Sequence, residues 1–310
     1  MKAAVMGAGS IGGYFGGMLA RGGHDVTLIA RGEHLDVIRR DGLTMQTQQG
    51  TFNVRCSATD RPAEVGPVDL VLLTTKTYHN AAAVPALAPM VGPDTAVLCL
   101  QNGIDSYTSL LEAFPDAIVL PGAAYIEAGR LGPGVVSQAG DIVRIVTGGV
   151  RGSDVSHGAR ASEVCAAFRD AGVNAEASDD IAVTLWTKFL FITTMAGTTS
   201  LAREYLRDLL PRPEWHKIIV GCMAEIERAG RGSGVNLAPN IVADTLDYME
   251  SAKGAMSASM HADLMAGRPM ELEALNGAVV RAGVAAGVAT PINDVIYAAL
   301  KPYANGIAPA

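Results

Sequence analysis

The sequence predicts an α/β protein in two parts, a doubly wound parallel sheet followed by an all-helical second domain. Three observations predict it. Short apolar runs at residues 3–6, 25–30, 68–75 and 95–100 alternate with helical segments, the pattern of parallel strands covered on both faces. Beyond Ser178 strand signals fade and helical periodicity dominates. The chain has 310 residues, more than a single domain of ~100–200 residues needs.

Taken in order, residues 3–6 form a short buried strand and residues 11–21 a Gly- and Ala-rich helix. Residues 25–30 form a second strand. Residues 43–54 alternate around Gln49-Gly50 and read as an antiparallel hairpin insert. Residues 68–75 (VDLVLLTT) and 95–100 (TAVLCL) are the third and fourth parallel strands. Residues 118–147 are Gly-rich and β-like, expected as extra strands at the sheet edge, and residues 163–171 are a further helix. Asp179 or Asp180 can cap a helix running towards Thr198. Helices at 215–231, 238–253, 272–286 and 293–300 continue the series. The expected domains are therefore residues 1–178 and residues 179–310.

With 49% hydrophobic and 18% charged residues the chain buries a sizeable core, which excludes a disordered chain. Aromatics are only 5%, so Ala, Val, Leu and Gly do most of the packing. A net charge of −7 without a basic block argues against nucleic acid or an anionic membrane as partner. Cys56, Cys99, Cys165 and Cys222 lie far apart, without zinc-knuckle or redox-pair spacing, and fit free thiols in a reducing cytoplasm. The six histidines form no ligand-like cluster, so no metal is expected. The longest charge-free apolar stretch in a helical context, residues 189–202, is shorter than the ~20 residues of a membrane span. Lys2 is followed by only a very short apolar run, which is no signal peptide. The expectation is a soluble cytoplasmic protein. Helix faces rich in Ala and Met are compatible with a homodimer, although such stripes are more often core.

The first strand runs into Gly7-Ala8-Gly9-Ser10-Ile11-Gly12 and then a helix. Gly7 allows the tight turn, Gly9 lets a pyrophosphate approach the backbone, and Gly12 lets the helix pack on the strand. Ser10 and Ile11 open the helix, whose N-terminus favours an anion. A lone GxGxxG is weak, but strand, turn and helix at the head of a βαβ unit are its confirming context, a Rossmann-type dinucleotide site. At the end of the second strand, where an NAD site normally has an acid, stands Arg31, nineteen positions after Gly12. A guanidinium suits a 2′-phosphate, so the expected cofactor is NADPH. The competing reading leaves Arg31 on the surface and gives the ribose to Glu33.

Lys76 ends the third strand, and Gln101-Asn102-Gly103 ends the fourth, both at the carboxyl edge where open α/β sheets bind ligands. Lys76 equally fits a snorkelling surface lysine, and Asn102 a turn residue before Gly103. Lys188 interrupts an otherwise apolar helix (LWTKFLF), where a partly desolvated ammonium is a plausible proton donor to a carbonyl oxygen.

Together these motifs resemble the ketopantoate reductase (2-dehydropantoate 2-reductase) family over nearly the whole chain. MGAGSIGG, LLTTK, LQNG, LWTKFLF and MELEALNG occur in the family's order, followed by Thr290-Pro291-Ile292-Asn293. The resemblance implies a Rossmann domain, a helical domain, a cleft between them, and NADPH-dependent reduction of a 2-oxo acid to a 2-hydroxy acid. It gives Lys188 the role of general acid. Asn102 falls near the nicotinamide and the substrate carbonyl, and Glu271 becomes a carboxylate that sets the lysine and substrate. Ser259 matches a ligand of the substrate carboxylate, and Arg31 and Lys76 match cofactor contacts. Taken without the family, Glu271 and Ser259 read as helix-surface residues.

The chain departs from the family at its far substrate end. Asparagines expected four and eight residues after the lysine are Ile192 and Ala196, and a third, three residues before the serine, is Met256. Lys188, Ile192 and Ala196 share one helix face. Either the substrate is a 2-oxo acid with an apolar side chain, or ketopantoate is kept and Thr193, Thr194 or Thr199 supplies polar contacts. His79, where the family often has glutamine, is a smaller departure. A non-catalytic NADP(H)-binding regulator is a competing class, against which the retained Lys188 and Glu271 speak. A β-hydroxy-acid dehydrogenase is another, and Ile192 argues against it.

Overall fold

The computed structural model describes residues 1–150, 155–251, 256 and 258–307. The chain divides into two compact units, Met1–Gln101 with Ser106–Ile181, and Asn102–Asp105 with Ala182–Ala310.

The first unit opens with β1 (Lys2–Met6), α1 (Ser10–Arg21), β2 (Asp25–Ile29) and α2 (Gly32–Asp41). The hairpin β3 (Leu43–Thr47) and β4 (Gly50–Val54) follows, then β5 (Ser57–Thr59), β6 (Leu70–Leu73), the one-turn α3 (Asn80–Ala83) and β7 (Ala96–Cys99). α4 (Thr108–Ala113), β8 (Ile118–Gly132), β9 (Val135–Thr147), α5 (Val155–Asp170) and β10 (Asn174–Ala177) complete it. The strands lie in the order β4-β3-β9-β8-β7-β6-β1-β2-β5, with β10 also paired to β9. β1 pairs in parallel with β2 on one side and β6 on the other. The strand order thus reverses at β1, the switch point where open α/β sheets receive ligands.

Both faces of this sheet are covered, as the apolar strands require. Ala3 and Val5 enter one core with Phe15 and Phe168, whose rings meet edge-on at 5.9 Å. Ala4 and Met6 enter the opposite core with Leu87 and Leu110. Leu70 and Leu72 alternate with Val71 and Leu73 in the same way. The unit is a Rossmann-like layered sheet.

The expected edge position of residues 118–147 is not found. β8 first pairs in parallel with β7, then turns antiparallel to β9. β9 in turn is flanked by β3 and β10. The hairpin β3–β4 docks on β9 and takes the edge itself.

The second unit contains α6 (Ile181–Ala202), which begins directly after Asp180, α7 (Leu206–Leu209), α8 (Pro213–Gly232) and α9 (Ile241–Ser251). It continues with α10 (Ser259–Met265), α11 (Asn276–Ala286) and α12 (Pro291–Leu300). The expected helix over 238–253 ends in residues outside those described. At 22 residues α6 is long and apolar enough to cross a membrane, so the shorter stretch read from the sequence understated it. Its apolarity serves packing: Trp186, Phe189, Leu190 and Ala196 are buried in the unit's core. A buried polar set ties α8, α11 and α12 together. The buried Glu225 carboxylate accepts the Ile292 and Asn293 amides, each at 2.9 Å, at the start of α12. Asn276 Nδ2 donates to Asn293 Oδ1 at 3.0 Å.

Candidate active site

In the first unit β1 stops at Met6 and α1 starts at Ser10, with Gly7, Ala8 and Gly9 between. Gly7 has φ +101°, and a Cβ there would lie 2.8 Å from Thr75 Cγ2. A Cβ at Gly12 would strike the Gly7 carbonyl and Thr74 Oγ1, whereas one at Gly9 would meet nothing within 4 Å. The turn is therefore tight against the sheet and open at Gly9. α1 has no side-chain N-cap bond and no acid in its first turn, which favours an anion before Ser10, Ile11 and Gly12. These residues fit the pyrophosphate of a dinucleotide.

Two side chains pin the turn's carbonyls, and sequence reasoning missed both. Thr74 Oγ1 donates to Gly7 O at 2.8 Å. His34 Nε2 donates to Ala8 O at 2.7 Å. Motif order pointed to the loop but not to what holds it, because each bond joins segments far apart in the chain.

Arg31 lies just beyond β2 as the exposed N-cap residue of α2, and Glu33 is exposed in that helix's first turn. Lys76 is half-buried after β6. The neighbouring segment is fastened by Gln101, whose amide donates to Thr75 O at 2.7 Å and to Asn80 Oδ1 at 2.6 Å. Asn80 Nδ2 returns a bond to Gln101 Oε1 at 3.1 Å.

The second unit brings Lys188, Asn102 and Glu271 together. Lys188 Nζ donates to Asn102 Oδ1 at 3.1 Å, and Asn102 Nδ2 reaches Glu271 Oε2 at 3.5 Å. Asn102 belongs to this unit because its four-residue segment lies on the turn before α11. Gly103 has φ +107°, and a Cβ there would lie 2.9 Å from Ala274 O. Arg281 Nη2 donates to Asp105 Oδ2 at 3.0 Å and to Glu273 O at 2.9 Å, closing the same contact from outside. Glu271 is buried in that turn rather than on the expected helix, because the Leu275 backbone (φ −108°, ψ −102°) is not helical and α11 starts at Asn276. Burial pushes the pKa of Lys188 down to about 8, against an upward pull from the Glu271 carboxylate. The trio offers an ammonium that exchanges its proton near neutral pH, oriented by an amide and backed by a carboxylate.

The other expected substrate residues are less closely grouped. Ile192 is half-buried and Ala196 fully buried on α6. Met256 is half-buried with φ +39°, and its carbonyl accepts the Leu206 amide at 3.1 Å. Ser259 is exposed at the start of α10, with no hydrogen bond to the trio among the described residues. The Thr199 hydroxyl donates to Met195 O at 2.6 Å.

Two family models match the chain: "Ketopantoate reductase PanE/ApbA" over residues 3–152 and its C-terminal counterpart over residues 180–304. A 2-dehydropantoate 2-reductase of Halobacterium salinarum is 32% identical over 94% of this chain and 95% of its own. Among solved structures, a PanE/ApbA family ketopantoate reductase from Ralstonia eutropha is 31% identical with a TM-score of 0.88, covering 98% of both chains. A D-mandelate dehydrogenase with NADH and anilino(oxo)acetate is 27% identical with a TM-score of 0.88, also covering 98% of both. With both models matched and this identity sustained along its length, the chain belongs to the ketopantoate reductase family of nicotinamide-dependent oxidoreductases.

Proposed function

We propose that the chain reduces a 2-oxo acid to the 2-hydroxy acid with NADPH. The observation that carries this reading is the Lys188–Asn102–Glu271 arrangement, an ammonium with a pKa of about 8 held by an amide. A bound reduced nicotinamide supplies the hydride to the carbonyl carbon. Lys188 gives its proton to the oxygen as negative charge grows there. Asn102 orients the ammonium and offers its amide near that oxygen. Glu271 keeps Lys188 charged enough to act. Ser259 takes the substrate carboxylate, and Lys76 with the Gly7–Gly12 turn holds the cofactor. Arg31, exposed beside β2, takes the 2′-phosphate, which favours NADPH over NADH.

For the substrate, the family's namesake reaction is ketopantoate to pantoate. A second reading, an oxo acid with an apolar side chain, is favoured by the α6 face beyond Lys188. Ile192 and Ala196 are apolar there, and the one threonine returning to that face, Thr199, already spends its hydroxyl proton on Met195 O. Thr193 and Thr194 fall off the face by helical spacing. The anilino(oxo)acetate carried by the D-mandelate dehydrogenase structure, an oxo acid with an aromatic group, agrees with this second reading.

The test is oxidation of NADPH with a panel of 2-oxo acids. Turnover with any of them, abolished in Lys188→Ala, supports the reading; no oxo-acid-dependent oxidation favours a non-catalytic regulator.

A further inference from the structure

His34 sits in the first turns of α2 and is only 7% exposed. Each of its ring nitrogens has one partner, and the partners dictate its protonation. Ala8 O can only accept, so Nε2 carries the proton across 2.7 Å. The Gly134 amide can only donate, so Nδ1 is bare across 2.9 Å. The ring is neutral with a single tautomer.

Its two partners belong to different parts of the first unit. Ala8 is the middle residue of the Gly7–Gly9 turn, and Gly134 is the turn between β8 and β9. The Ala8 amide already donates to Ile29 O at 3.1 Å, so with His34 on its carbonyl the residue is held from both sides. The Ala8–Gly9 peptide is planar and trans, so fixing its carbonyl towards His34 aims the Gly9 N–H the opposite way. Gly9 is also the position with open space where a side chain would stand.

We propose that His34, as the neutral Nε2-protonated ring, is a positioning residue for the cofactor turn, fixing the Gly9 amide for the dinucleotide's phosphates. The proposal rests on the dinucleotide reading of Gly7–Gly12. It gives His34 no contact with the cofactor; the residue acts through Ala8. A second ring proton would face the Gly134 N–H and break that bond, releasing the strut. Burial already holds the ring's pKa below its ordinary 6.5. Arg130 on β8 also disfavours the cation. The first turn of α1 carries no acid, and Glu33 and Asp36 on α2 itself are exposed.

The test measures NADPH affinity by nicotinamide fluorescence for wild type, His34→Gln and His34→Leu from about pH 5 to about pH 8, the range of histidine titration. Nitrogen NMR of the wild-type imidazole is recorded alongside. Titration of the cofactor's own phosphate is common to all three and cancels between them. The expected results are a neutral Nε2–H ring at neutral pH and NADPH binding about tenfold weaker in His34→Leu, the scale of one or two lost hydrogen bonds. Wild-type affinity falls at acidic pH in a step absent from His34→Leu, and His34→Gln, with one donor and one acceptor, recovers part of the loss. An Nδ1-protonated ring, or equal affinities and pH profiles in wild type and His34→Leu, overturns the proposal. If His34→Leu does not fold, the ring tautomer and the comparison of wild type with His34→Gln decide on the same criteria. Wild type that binds neither NADPH nor NADH overturns the reading of the turn itself and the proposal with it, a result distinct from a variant that binds as well as wild type.

Discussion

Lys188 Nζ lies 3.1 Å from Asn102 Oδ1, although the two residues stand 86 positions apart. The contact exists because the segment Asn102–Asp105 folds with the helical unit rather than with the strand that precedes it. An amide oxygen so placed orders the ammonium without neutralising it, and the depressed pKa follows from burial rather than from a cationic neighbour. The proton is then available to a developing alkoxide.

Lys188→Ala is expected to keep NADPH binding and lose ~10²–10⁴ in kcat, the usual range for a general acid. Separate measurement of cofactor affinity and oxo-acid turnover checks it. Near-normal turnover would remove Lys188 from the reaction.

The pH dependence has a definite sign. Lys188 must be protonated to act as acid, so kcat/KM for reduction is full below about pH 8 and falls as pH rises through that value. Glu271 pulls this pKa up, so Glu271→Gln moves the falling limb to lower pH. Rate profiles of wild type and variant read the shift directly; an unmoved limb would show that Glu271 does not act on Lys188.

For Arg31→Ala the ratio of kcat/KM with NADPH to that with NADH is expected to fall ~10–100-fold, the scale of a charge-assisted phosphate contact. An unchanged ratio would return Arg31 to the surface and give the ribose to Glu33.

Ile192→Asn tests the far end of the substrate. If the apolar reading holds, wild type prefers branched or aromatic oxo acids, and the variant shifts preference towards ketopantoate by roughly 10–200-fold, the range expected for one pocket contact. Competitive assays with paired substrates measure it. A wild type that strongly prefers ketopantoate would end the apolar reading.

Gly103→Ala places a methyl against Ala274 O at a positive φ, a strain of about 1–3 kcal/mol. Denaturant unfolding should show that loss, and turnover should fall with it because Asn102 moves off Lys188. Loss of stability at full turnover would separate the backbone strain from the site.

The fold was legible where physics is local. Residues of β1 and β6 alternate between two apolar cores, so their unbroken hydrophobic runs announced a sheet covered on both faces. The hairpin of β3 and β4 followed from its alternation. The place of β9 was not legible, because its neighbour β3 lies some ninety residues earlier and pairing at that distance leaves no period in the chain. Glu271 looked helical because MELEALNG is rich in helix formers; one non-helical residue, Leu275, breaks the run. Lys188, Asn102 and Glu271 were named from motifs, but the contacts joining them depend on tertiary folding. The roles of His34 and Thr74 were not legible, even with Thr74 inside the LLTTK motif, since each side chain holds a carbonyl of a distant loop.

The transfer of Asn102–Asp105 into the helical unit makes the two halves poor candidates for separation. A fragment beginning at Ala182 would keep Lys188 and Glu271 yet arrive without the amide that bridges them. Exchange of the helical half with that of a relative would inherit the same debt, unless the tetrapeptide travelled with it. In this chain the smallest piece that carries the whole trio is discontinuous, and its inheritance is tied to the strand that delivers it.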